Sequence, residues 1–167
     1  MAMEITLERH RVLVVGREME YEGELEPIGP VMDFLNASTR TTFPLYSARV
    51  VPIGSEERFK GISRAEIIID KSEFGILYSD DPEFRSKVQM LRFADSVIAY
   101  TPHAIIRGQF HRGAETRLPD LFDALQGAFM PVTDASLFPT TDLPAPLPTH
   151  SELILLNRQF VRFYHSA

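Results

Sequence analysis

From Arg11 the chain runs through four apolar residues, Val12-Leu13-Val14-Val15, and then switches to strict alternation. Glu20, Glu22, Glu24 and Glu26 occupy one parity; Tyr21, Gly23 and Leu25 occupy the other. The first pattern predicts a strand buried on both faces, and the second a strand with one wet face. Further apolar segments, Glu66-Ile67-Ile68-Ile69 and Phe74-Gly75-Ile76-Leu77-Tyr78, predict a closing hairpin with a polar tip at Asp70-Lys71-Ser72. A mid-strand Gly such as Gly23 weakens a strand unless the chain bends there or another backbone comes close.

The same order recurs downstream. Val97-Ile98-Ala99-Tyr100 falls on Val12–Val15, and Ile106, Gly108 and Phe110 fall on Tyr21, Gly23 and Leu25, at a shift of 85. Asp33-Phe34-Leu35-Asn36 then meets Asp120-Leu121-Phe122-Asp123 at a shift of 87, and Pro44, Ala48 and Pro52 meet Pro131, Ala135 and Pro139. The closing segments align at a shift of 86, with Glu152-Leu153-Ile154-Leu155 on Glu66–Ile69, and the second tip reads Asn157-Arg158-Gln159. A fixed order of apolar, Gly and Pro positions at a near-constant period is the signature of an internal duplication. Asp33 and Asp120 each precede a turn's worth of helix-compatible residues and are expected to act as caps.

One longer helix is predicted between the copies. Asp80-Asp81-Pro82-Glu83 supplies a cap, an early Pro and an acidic first turn. Phe84, Val88 and Leu91 share a face at helical spacing. The expected architecture is mainly β with one linking helix: a first small β-barrel module over 1–79, the helix over 80–95, and a second module over 96–167, related by pseudo-symmetry.

Composition narrows the chemistry. The 167 residues are 44% hydrophobic and 24% charged, ordinary for a folded domain, and there is no Cys, which removes disulfides, thiolate nucleophiles and Cys-based metal sites. Neither a signal-peptide-like run nor the roughly 20 apolar residues of a membrane span occurs, so a cytoplasmic, membrane-free protein is expected. The net charge is −6; residues 1–80 carry 9 basic and 14 acidic side chains, residues 81–167 carry 8 and 9. That balance disfavours a phosphate backbone as partner.

Two strands with a mid-strand Gly (Gly23, Gly108), a further strand and a terminal apolar hairpin (Ile67–Tyr78, Leu153–Tyr164) resemble the Sm/LSm-like small β-barrel. The Asp33-Phe34-Leu35-Asn36 … Phe43-Pro44-Leu45-Tyr46-Ser47-Ala48 stretch also resembles an uncharacterised bacterial domain family. The Sm-like resemblance implies the barrel fold, and in that family RNA binding and self-assembly. The tips here lack the Gly of that family's basic-Gly element, so fold analogy is carried further than function.

No motif signals catalysis or a resident cofactor. The five His residues, His10, His103, His111, His150 and His165, show no helical metal spacing, and no Gly-x-Ser-x-Gly elbow or Gly-Lys-Ser/Thr loop is present. Gly54-Ser55 leads into Glu56-Glu57, which repels phosphate. The glutamate row Glu18–Glu26 reads as a solvated strand face, and the Pro-rich stretch Pro139–Pro148 as an extended, exposed loop bridging two strands. The favoured expectation is a binding or assembly protein working through protein contacts or self-association, without metal or cofactor. In the second half the region equivalent to the glutamate row carries Arg107, Arg112 and Arg117 with His103 and His111, and these opposite charges suggest head-to-tail association of copies. Two alternatives stay open: RNA or small-anion binding by Lys71, Asn157 and Arg158 at the hairpin tips, and an enzyme with its site between the modules.

Overall fold

The apolar run and the alternating segment pair as antiparallel strands β1 (His10–Val15) and β2 (Met19–Leu25), with Val12 opposite Gly23. The computed structural model describes residues 7–54, 56, 58–125 and 127–167. Met1–Thr6 at the N-terminus, Ser55 and Glu57 of the Gly54–Glu57 loop, and Gln126 lie outside the described residues. After β2 come helix α1 (Val31–Asn36), the long strand β3 (Thr42–Pro52), β4 (Ile62–Asp70), and β5 (Ile76–Tyr78). Helix α2 (Pro82–Ser86) leads to β6 (Phe93–Tyr100), β7 (Ala104–Arg112), β8 (Phe129–Pro139), β9 (His150–Asn157) and β10 (Phe163–Ser166).

All ten strands form one antiparallel sheet in the order β10-β6-β7-β8-β9-β5-β1-β2-β3-β4. The first five strands therefore lie in the order 5-1-2-3-4, and the second five in the corresponding order 10-6-7-8-9. Both β2–β3 and β7–β8 slip register at the same place, between Glu22 and Glu24 and between Arg107 and Gln109. The extra residue is on the partner strand, where Ser47 (φ 47°) and Asp134 (φ 49°) take the left-handed conformation of a bulge. Gly23 and Gly108 sit against these bulges: a Cβ on Gly23 would lie 2.8 Å from both Leu45 Cγ and the Tyr46 carbonyl, and one on Gly108 2.8 Å from Val132 Cγ1. The mid-strand glycines are thus explained by close backbone approach.

Several expectations are corrected. The sheet is open, not a pair of closed barrels: β4 and β5 do not pair, because β5 is taken by β1 on one side and β9 on the other. Neither Ile67–Tyr78 nor Leu153–Tyr164 is accordingly a hairpin: β10 pairs with β6 and not with β9, and the 3₁₀ turns Lys71–Glu73 and Arg158–Phe160 carry the chain from one end of each half to the other. Tyr46 pairs with Glu66 and Thr133 with Leu153, so the offset between the closing segments is 87, not 86. The linking helix over 80–95 shrinks to Pro82–Ser86, since Phe93–Asp95 is recruited into β6 opposite Phe110–Arg112. Long-range pairing there overrides a helical period. Asp33 and Asp120 lie inside helical turns and do not cap them; α1 begins earlier, after Pro30.

Two cores flank the junction between the halves, and each borrows from the other. Phe129, Leu153 and Leu155 join the first core around Val14, Phe43, Phe74 and Leu77. Val15 and Ile76 join the second core around Val97, Ile106, Phe110 and Leu156. Successive residues of β1, β5 and β9 thus alternate between two apolar environments, which is why these strands read as unbroken apolar runs.

Candidate interaction surface and buried polar groups

An open sheet ends in two strands that are paired on one side only, and among the described residues those ends are β4 and β10. Both expose large apolar side chains: Ile68 on β4 is 56% exposed and Phe163 on β10 57% exposed. Phe163 stacks on Tyr100 with ring centroids 4.2 Å apart, so the β10 edge presents a paired aromatic surface. Exposed polar groups flank both patches, with Arg64, Glu66 and Asp70 along β4 and Arg162 and His165 by β10. Natural sheets blunt free edges with charge or cover them. Each edge thus carries one large exposed apolar side chain among charged or polar ones.

The junction β5·β9 shows how such edges meet inside the chain. Ile76 pairs with Leu156 and Leu77 with Leu155, and the Asn157 amide donates to the Gly75 carbonyl at 2.8 Å. Beside it, the side chain of Asn36 brackets one residue of β8. Its Oδ1 accepts from the Phe129 amide at 2.9 Å, and its Nδ2 donates to the Phe129 carbonyl at 3.2 Å.

The five ligand-contact residues named from sequence do not converge. Lys71 and Arg158 occupy the starts of equivalent 3₁₀ turns, Lys71–Glu73 and Arg158–Phe160. Lys71 donates to the Ala37 carbonyl and Arg158 to the Phe122 carbonyl, and partial burial pulls the Lys71 ammonium below its ordinary range. Asn157 is buried and caps its turn by accepting from the Gln159 amide, as Asp70 does from Ser72. Arg107 is exposed on β7. Arg112 is only 4% exposed, paired with Asp95 at 2.5 Å and bonded to the Ala114 carbonyl, so it serves the fold rather than a surface.

Sequence reasoning missed three arrangements. Glu20, expected in a solvated row, is 2% exposed. The Pro-rich segment between β8 and β9 lies across it: Ala145 donates its amide to Glu20 Oε1, and Leu147 anchors the segment in the second core. Glu20 Oε2 has no partner among the described residues, and Glu20 borders a cavity of about 40 Å³ shared with Glu22, Arg49 and Ala145. Desolvation pushes the Glu20 carboxyl up to about 7; the Ala145 hydrogen bond opposes this and Glu22 adds to it. His10 is the second. It is buried against Phe84 and bonds Asp81 at 2.7 Å, and its ring and the carboxylates of Asp81 and Glu83 place ligand atoms within 4.8 Å of one another. Asp81 also caps α2 through the Glu83 amide, and these bonds, the one from His10 foremost, hold its carboxyl below the usual range. The third is an apolar groove of about 520 Å³ beside the junction, lined by Met32, Asn36, Leu91, Leu125 and Phe129, with Asp33 as its carboxylate.

Among the described residues no helix is long and apolar enough to cross a membrane. The chain matches no family model, no curated protein and no solved structure.

Proposed function

We propose that this chain is an assembly protein, built from two duplicated Sm-like modules and acting through protein–protein contacts made by the ends of its sheet. The observation that carries the reading is the pair of open edges with Ile68 and Phe163 uncovered at them. The equal strand orders, the matched bulges at Ser47 and Asp134 and the matched turn caps at Asp70 and Asn157 support the duplication. Anion or RNA binding at the two 3₁₀ turns, expected from sequence as hairpin tips, draws less support, because Lys71 and Arg158 spend donors on main-chain carbonyls and Asn157 is buried. A catalytic site between the halves draws less again: their junction is filled by shared apolar residues, and among the described residues the groove beside it brings in one carboxylate, Asp33.

The test is a tagged purification under native conditions with light scattering, the absorbance ratio at 260 and 280 nm, and mass spectrometry of the eluate. The expected result is a mass above the 19.0 kDa of one chain, made of protein. Without Trp the chain absorbs weakly at 280 nm, so bound nucleic acid would dominate the spectrum. Stoichiometric nucleic acid, or a single chain that retains no protein, would overturn the reading.

A further inference from the structure

We infer that the outer face of the second half is a docking band for an extended segment of a partner protein, rich in proline and carrying an acidic residue. The segment lies across β8, β7, β6 and β10 as this chain's own Pro-rich segment lies across the first half. The inference goes beyond the contacts of the sheet ends, because Phe138, Ile105 and Arg107 stand on strands inside the sheet.

One row of side chains crosses the second half. Phe163 lies opposite Tyr100, Tyr100 opposite Ile105, and Ile105 opposite Phe138. Residues directly opposite on neighbouring strands share a face. The alternate residues Ala99, Ile106 and Leu137 fill the second core, so the row points outward. Phe163 and Phe138 are 57% and 53% exposed, and Tyr100 and Ile105 are half-buried. Among the described residues, three rings and an isoleucine thus form an open band across four strands, with Phe163 stacked on Tyr100.

The first half has the same row, and there it is covered. Val12 faces Gly23 and Val97 faces Gly108, so Val15 and Tyr100, three residues on, are counterparts. Pairing outward from them makes Ile76, Val15, Glu20 and Val51 the counterparts of Phe163, Tyr100, Ile105 and Phe138. Ile76, Val15 and Glu20 are 1%, 1% and 2% exposed. Their cover is the second core together with the segment Leu143-Pro144-Ala145-Pro146-Leu147. Pro144 and Ala145 share a cavity with Val51 and Glu20, and Ala145 and Pro146 share the next with Leu13 and Tyr78. The segment therefore runs from β3 over β2 to β1 and β5, with Leu143 and Leu147 holding its ends in the second core. Four strands span about 14 Å. An extended proline-rich chain, rising about 3.1 Å per residue, crosses that in about five residues, as this segment does.

The differences between the two rows name the occupant. Glu20, which accepts from the Ala145 amide, gives way to Ile105, while Val15, Ile76 and Val51 give way to Tyr100, Phe163 and Phe138. An acceptor for a main-chain amide has been exchanged for an apolar, ring-rich surface. Proline has no N–H to satisfy and packs on aromatic faces, so it suits such a surface. In the adjacent row Tyr78, Leu13, Glu22 and Arg49 correspond to His165, Ile98, Arg107 and Ser136. Ala145 borders Glu20 and Glu22 in the first half. The residue in its place on the second half meets exposed Arg107, in a row without a carboxylate, which favours an acidic side chain there. A backbone already extended by its prolines loses little freedom on docking.

The probes are two peptides, residues 142–148 of this chain and the same peptide with Ala145→Glu, titrated into the full chain labelled with nitrogen-15. Amide shifts are expected at Ile98, Ile105, Arg107 and Phe138 and not at Glu20 or Glu22. The glutamate peptide is expected to bind about threefold tighter at low salt, and to lose that advantage in Arg107→Gln. Phe138→Ser, at an exposed position, is expected to weaken both peptides about tenfold while the rest of the spectrum stays in place. Replacing the three prolines of the peptide by Ala is expected to cost about tenfold as well. No shift at the band with either peptide, or shifts at Glu20 that report displacement of the chain's own segment, would overturn the docking site. Equal binding of the alanine peptide would overturn proline as the recognised feature, and equal affinity of the two proline peptides would overturn the acidic residue. A chain that is single in light scattering yet shifts at the band bears this inference out even as the assembly reading fails.

Discussion

Glu20→Gln is expected to stabilise the folded chain by about 3 kcal/mol at pH 8 and to change little at pH 4. Burial under the Pro-rich segment pushes the Glu20 carboxyl up to about 7 in the folded chain against an ordinary 4.5, and Oε2 has no donor among the described residues. A folded-state pKa raised above the unfolded value means that the folded state holds its proton more tightly. Wild-type stability from this group is full below about pH 4.5, falls as pH rises, and has been lost once pH passes about 7. A difference of about 2.5 pH units corresponds to roughly 3 kcal/mol at 1.36 kcal/mol per unit. Gln is neutral throughout and keeps an oxygen for the Ala145 amide, so its stability lacks that decline. Urea unfolding of both proteins at pH 4, 6 and 8 reads the difference directly. Parallel curves for the two proteins would show that Glu20 does not carry a buried charge at neutral pH.

Glu20 also shows where a sequence stops being legible. Period-two alternation placed it correctly on β2 with Glu22 and Glu24, on the face opposite Tyr21 and Leu25. What buries it is a loop 125 residues away, and no local pattern encodes that encounter. The apolar run Val12–Val15, the glycines at 23 and 108 and the mainly β character were readable because each arises from backbone geometry or side-chain period at its own position. The open sheet was not. β5 is three residues long, and its choice of β9 over β4 is decided by which core receives Ile76 and Leu77. The segment after Ser86 failed for the same reason: Phe84 and Val88 are buried as a helical face would have them, but strand β7 claims Phe93 onward and the Arg112–Asp95 pair fixes it there. Of the contact surface, the apolar character of Ile68 and Phe163 was visible in the sequence, whereas their exposure is a property of the strand order alone.

Replacing Asn36 by Ala is expected to cost about 3 kcal/mol, more than its short side chain would suggest. Asn36 ends α1 in the first half and satisfies both main-chain groups of Phe129 in the second, and Phe129 is itself 1% exposed. Truncation leaves a buried N–H and a buried C=O unpaired, each costing about 1–3 kcal/mol. Asn36→Asp separates the two bonds: it keeps an acceptor for the amide, loses the donor to the carbonyl, and is expected to lose roughly half as much. Hydrogen exchange at the Phe129 amide distinguishes a specific effect from general loosening. It is expected to accelerate strongly in Asn36→Ala, modestly in Asn36→Asp, and in both cases more than amides of β6 and β7. Uniform acceleration across the chain would mean that the bracket is one contact among many.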